Sequence, residues 1–332
     1  MSNRVFNWKR EPEDPRDFQV QRHEKLVSVP LPSIYELPAD IPIYDQSDLG
    51  SCVSNSSCAA YRFESEQLSG DFKFNPSRLF LYYNARMIDG TDPSDDAGTY
   101  VRSAFKSLNQ TGVCHEEFCP YETEKFSQKP GVFAYADAPN NMIVRYASVP
   151  QDLTALKQVL VSGAGIVFGF NVYESFEQGN WDSTTGMMPI PKKNENILGG
   201  HSTILVGYAD SKQAFLVQNS WGTEWGLQGK FWMPYSFLLD PKECDDFWCI
   251  DEIKVNPDEP IPDPEPIDPI PDCPTNKEQA FFVAKSIFKT GKELYAVKKE
   301  TIVLLGQLLE LPVSMKISFK KNYTIVAQNL GL

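Results

Sequence analysis

Histidine is scarce in this sequence. Among 332 residues there are three: His23, His115 and His201. An imidazole base therefore has few candidates. No run of 18 or more apolar residues occurs, so no membrane-spanning helix is predicted. The opening stretch, Met1 to Arg10, lacks the apolar core of a secretory leader, which argues against conventional secretion and a lysosomal route. No Gly-x-Ser-x-Gly segment is present, so a serine nucleophile at Ser51 or Ser220 is disfavoured. Positive charge is also short: 31 Lys and Arg face 44 Asp and Glu, a net charge of −13. That balance disfavours a general nucleic-acid role.

Seven cysteines are present. Cys114 and Cys119 stand five apart, as do Cys244 and Cys249. Local disulfides between them stay open, and a zinc site built from these four lacks the two-residue gap of zinc knuckles. No metal or cofactor is expected. Cys58 reads as a small buried hydrophobe, and His23 and His115 as surface or loop residues without a motif around them. Hydrophobic residues make up 42% of the chain, which is ordinary for a globular core.

Cys52 stands apart from this background. It follows Gln46-Ser47-Asp48-Leu49-Gly50-Ser51 and precedes a run of small residues, Ser54 to Ala60. That run reads as a buried helix starting near Ser51, with Gly50 permitting the turn into it. Cys52 then sits in the first helical turn, where unpaired N–H groups and the helix dipole favour a thiolate. Gly199-Gly200-His201 lies 149 residues further on, and Asn219, within Gln218-Asn219-Ser220-Trp221-Gly222, lies 18 beyond the histidine. Cysteine, histidine and asparagine thus stand in this order at these spacings.

These three segments resemble those of the papain-like cysteine peptidases. The resemblance implies that Cys52 is the nucleophile, that His201 is base and then acid, and that Asn219 holds the imidazole. It implies that Gln46 and the Cys52 backbone N–H stabilise the oxyanion, and that Trp221 shields the His201–Asn219 bond. Gly98, Gly169, Ser202 and Trp221 would line the substrate side. The sequence departs from the family pattern at two places: Val53 follows the nucleophile where tryptophan is usual, and Gly200 precedes the histidine where Asp or Asn is usual. Gly-Gly-His, and Asp14-Pro15-Arg16-Asp17-Phe18 near the start, are more similar to trimmed members from bacteria and large DNA viruses than to lysosomal cathepsins. With neither a leader nor a membrane span predicted, a cytoplasmic or virion-associated location is expected over a secreted one. The implied activity is hydrolysis of a protein or peptide substrate through a Cys52 thioester. The alternative is an inactive papain-fold module that binds an extended peptide, and amide transfer by the same triad is a variant of the first reading.

The implied fold is α+β, with a helical lobe, a β-barrel-like lobe and the cleft between them. Residues 1–38 are polar with five prolines and read as an extended segment, either a surface strap or one that covers the cleft. Residues 39–255 would be the peptidase domain. Helices are predicted near 75–86, with Asn75 as a plausible cap, and near 101–108. Strands are predicted near 165–172, 202–208, 214–218 and 229–233. Residues 256–274 hold eight of the 25 prolines, interleaved with acidic residues, and read as an extended spacer. Residues 275–332 carry nine lysines and four glutamates, a net of +5. They read as a small basic helix-plus-hairpin module, marginal alone at this length, with docking to a partner as its expected use.

Overall fold

The protein is described here from a computed structural model. It describes residues 4–253 apart from residues 13, 15–16, 18, 21–29, 39–41, 70–73, 180–181 and 183. The spacer expected at 256–274, the basic module expected at 275–332 and His23 lie outside the described residues.

The first lobe is built from helices α1 (Cys52–Ser69), α2 (Arg78–Ile88) and α3 (Val101–Gln110). Residues 52–60 of α1 are buried without a break, on every side of the helix. Only a run of small side chains allows such a helix to be packed all round. It lies against α2 and α3 on one side and against the sheet on the other, so its N-terminus falls between the lobes. In α3, Val101, Ala104, Phe105 and Leu108 repeat at helical spacing and are all buried. In α2 the cap is Ser77, whose hydroxyl accepts the Phe80 N–H at 3.1 Å. It displaces Asn75 from the expected capping role, because the helix starts at Arg78, three residues past Asn75. Asn75 instead accepts the Tyr44 hydroxyl at 3.1 Å.

The second lobe is an antiparallel sheet of β1 (Ile34–Glu36), β2 (Ile143–Ser148), β3 (Ile166–Tyr173), β4 (Ile197–Ala209), β5 (Ala214–Gln218), β6 (Lys230–Pro234) and β7 (Cys244–Ile253). Its order is β2-β7-β3-β4-β5-β6, with β1 pairing β4. β3 and β4 are central and buried on both faces over most of their length, which is why they read as continuous apolar runs. Register places His201 opposite Phe170, and Ser202 opposite Gly169. Helix α4 (Val132–Asp137) precedes β2, and α5 (Leu153–Val161) packs on β4. The single turns α6 (Glu174–Glu177) and α7 (Tyr235–Leu238) follow β3 and β6. α6 brings Phe176 onto Phe170 and Phe231, with ring centroids 5.4 and 5.2 Å apart. Each fully buried phenylalanine here contributes on the order of 1.5–3 kcal/mol of hydrophobic free energy.

No disulfide involves any of the six described cysteines. Cys244 and Cys249 pair with Phe170 and Ile166, four residues apart along β3, which at about 3.3 Å per residue puts them on the order of 13 Å apart, too far to bridge. Among the described residues no helix is long and apolar enough to cross a membrane. His115 lies in the loop before a short 3₁₀ turn, its Nδ1 2.8 Å from Asp137 Oδ2.

Candidate active site

Cys52 opens α1, and its side chain is completely buried. Backbone N–H groups of Ser202, Val53, Asn7 and Cys52 itself reach the thiol. The Ser202 contact sets the sulfur against the stretch of β4 that carries His201. Thus α1, which opens with Cys52, packs against β4, which carries His201.

The His201 ring is held from three sides. Trp221 stacks on it with centroids 4.7 Å apart and planes 28° from parallel. Phe170 meets its edge at 5.6 Å. Its Nε2 lies 2.7 Å from Asn219 Oδ1, which also accepts the Ser220 N–H at 2.8 Å. An amide oxygen accepts, so Nε2 carries the hydrogen, an assignment made from the network. Nδ1 then presents a lone pair, and it has no hydrogen-bond partner. An imidazole in this tautomer can take a proton at Nδ1.

Gln46 is buried beside them. Its Oε1 accepts the Ser220 hydroxyl at 2.7 Å, and its Nε2 donates to Leu49 O at 3.0 Å. The amide has two N–H donors, so one is left for a substrate oxyanion. A tight turn aims the side chain: Ser47 has φ of 54° and its N–H is held by Asp45 Oδ1 at 2.9 Å.

Residues 4–11 run through the space between the lobes. Trp8 N–H donates to Gly200 O at 2.9 Å, and Asn7 bridges Gly200 in parallel sense. The Asn7 side chain donates to Asp96 O, and Phe6 packs edge-on to His201 at 6.3 Å. Gly98, at φ of 69°, lies so close that a Cβ would come within 2.0 Å of Asn7 O. A Cβ on Gly169 would come within 1.8 Å of the Trp8 indole. Ser202 lies next to this pocket, its hydroxyl 3.0 Å from that of Ser56. Gly98, Gly169 and Trp221 therefore all touch the N-terminal segment, and Arg4 lies 4.3 Å over the Trp221 ring.

This cover sets the electrostatics. Burial pushes the Cys52 thiol up to about 11 and His201 down to about 4. Both favour their neutral forms while the segment is seated. Further along, Asp246 accepts the Trp8 Nε1–H at 3.0 Å and the Glu11 backbone N–H at 3.1 Å. Arg102 reaches Glu11 at 3.2 Å and also pairs with Asp17. Burial lifts both carboxyls, Glu11 to about 8 with the charge of Asp246 adding to it and Asp246 to about 7 with that of Asp245 adding to it.

Sequence reading missed Asn7, Trp8, Glu11, Arg102 and Asp246. The one local signal was a tryptophan amid polar residues near the start. Asp246 gave none, because it is aimed by a β-bulge: register shifts between Val167↔Trp248 and Gly169↔Asp245, and Asp246 there has φ of 58°.

The model of the papain family cysteine proteases matches residues 39–244. An uncharacterized peptidase C1-like protein of Acanthamoeba polyphaga mimivirus is 39% identical over 231 residues, 67% of this chain and 74% of the relative. The crystal structure of xylellain, a cysteine protease from Xylella fastidiosa, superposes with a TM-score of 0.69 at 36% identity, covering 76% of this chain and 98% of that one. A procathepsin B from Trypanosoma congolense shares the fold at 16% identity, with a TM-score of 0.60 over 76% of this chain and 87% of that one. With its two lobes and these matches, the chain belongs to the papain family of cysteine proteases.

Proposed function

We propose that this chain is a cysteine peptidase, latent while residues 4–11 are seated in its cleft. One observation supports the chemistry above others: His201 is fixed by Asn219 at 2.7 Å with Nδ1 unpartnered, and Ser202, its neighbour, contacts the Cys52 thiol. His201 Nδ1 takes the thiol proton, and the sulfur attacks the scissile carbonyl carbon. The resulting oxyanion accepts the free Gln46 N–H and the Cys52 N–H. His201 then passes its proton to the leaving amine, and the C–N bond breaks to leave a thioester. Water, deprotonated by the same imidazole, attacks the thioester and releases the acid and the thiol.

Latency rests on the same geometry. Asn7 contacts the thiol and Trp8 occupies the neighbouring pocket, so a substrate must displace them. The test is peptide turnover by the full chain carrying Trp8→Ala, with and without Cys52→Ala. Turnover in the first and none in the second is expected. Turnover that survives Cys52→Ala would overturn the proposal. An amine acceptor added to the assay separates transfer from hydrolysis.

A further inference from the structure

Building on that peptidase reading, we propose that the cleft takes a cationic extended peptide and that Asp246 is the specificity-determining residue, receiving an Arg or Lys side chain in the pocket now filled by Trp8. The N-terminal segment shows what this surface binds. Of residues 4–10, three are basic: Arg4, Lys9 and Arg10. Each is met by the cleft. Arg4 stacks on Trp221, with Glu177 and Asp45 acting on its charge. Lys9 lies 5.9 Å from the Tyr100 ring centre. Arg10 pairs with Asp245 at 3.4 Å and donates to Lys242 O at 3.2 Å.

The pocket itself is more selective than this rim. Its walls are Gly169 and Gly200, where a Cβ would come within 1.8 and 2.5 Å of the Trp8 ring. Two glycines leave room for a long side chain. Its end is a carboxylate, Asp246, only 8% exposed. Trp8 satisfies that carboxylate with its one polar atom, Nε1. When Trp8 leaves, the bonding demand stays. An Arg or Lys side chain brings both a donor and a compensating charge to that depth. A Leu or Phe would bury the carboxylate without either, and a site built around a hydrogen bond rejects the analogue lacking it far more strongly than a methylene-sized difference allows.

Two readouts on the full-length chain test this. Cleavage of a positional-scanning peptide library by the Trp8→Ala chain should show, at one position, at least about 20-fold higher kcat/KM for Arg or Lys than for Leu. Adding Asp246→Ala should abolish that preference, and adding Asp246→Glu should retain it. Binding of the same peptides, dye-labelled, to the Trp8→Ala/Cys52→Ala chain reads recognition without chemistry. Arg-selective binding that Asp246→Ala removes supports the assignment even where nothing is cleaved, in which case the peptidase reading alone falls. A preference for Leu or Phe, a basic preference that survives Asp246→Ala, or no binding by either chain would overturn it.

Discussion

At the scale of single residues, the arrangement divides labour among side chains that touch one another. Gln46 is positioned by Ser220 and Leu49, so the N–H that the proposed mechanism gives to the oxyanion is fixed in advance. Gln46→Ala should lower kcat by about 10²–10³ while leaving KM nearly unchanged, which steady-state kinetics in the Trp8→Ala background would read. A loss confined to KM would assign Gln46 to ground-state binding instead. Arg86 makes a different kind of argument. Fully buried, it donates to Pro93 O and Asp95 O at 2.8 Å each and to Phe126 O. Arg86→Leu would leave three carbonyls without a partner, at a cost of at least about 3 kcal/mol. Chemical denaturation should show that loss with a shifted midpoint and little change in slope.

At the scale of elements, the N-terminal segment is held by protons as well as contacts. Glu11 faces Asp246, Arg102 and Asp17, while Asp246 faces Asp245, Arg102, Trp8 and the Glu11 N–H. Burial raises both carboxyls, to about 8 and about 7. Released, each returns to the ordinary range near 4. The seated form therefore binds more protons than the released form. Its contribution is full below about pH 4 and is lost as pH rises through 7 to 8. Hydrogen exchange at Trp8, corrected for intrinsic rate, should report more opening at pH 8 than at pH 5, and Glu11→Gln should flatten that difference. Opening that grows on acidification would contradict it. These groups also mark where sequence reading stopped. The three central helices and the strands from β3 to β6 were legible because small-residue runs, helical spacing and β-branched stretches are local signals. The juxtaposition of His201 and Asn219, 2.7 Å apart, was legible from motif and spacing. β7 was not, since it opens Cys-Asp-Asp, a poor strand start by propensity. Its pairing with β3 and β2 decides it. Contacts such as Trp8 to Asp246, 238 residues apart, depend on the bulge and have no local signature.

At the scale of the whole molecule, packing and not cross-linking holds the two lobes together among the described residues. None of the six described cysteines is in a disulfide, and α1 joins the lobes through contacts to both helices and sheet. The melting temperature of the full chain should move by less than about 1 °C on adding reductant, and a drop of several degrees would reveal a bridge. The central proposal is that Cys52 and His201 act as a pair beneath the chain's own N-terminal segment. Its most direct test is labelling with an epoxysuccinyl thiol probe across pH 4–9, the modified residue being mapped by mass spectrometry, for the full chain and for Trp8→Ala. Slow labelling of the full chain is expected, with fast labelling at Cys52 alone in Trp8→Ala that persists well below the free thiol pKa of about 8.5. Equally slow labelling in both, shared among several cysteines, would contradict the account.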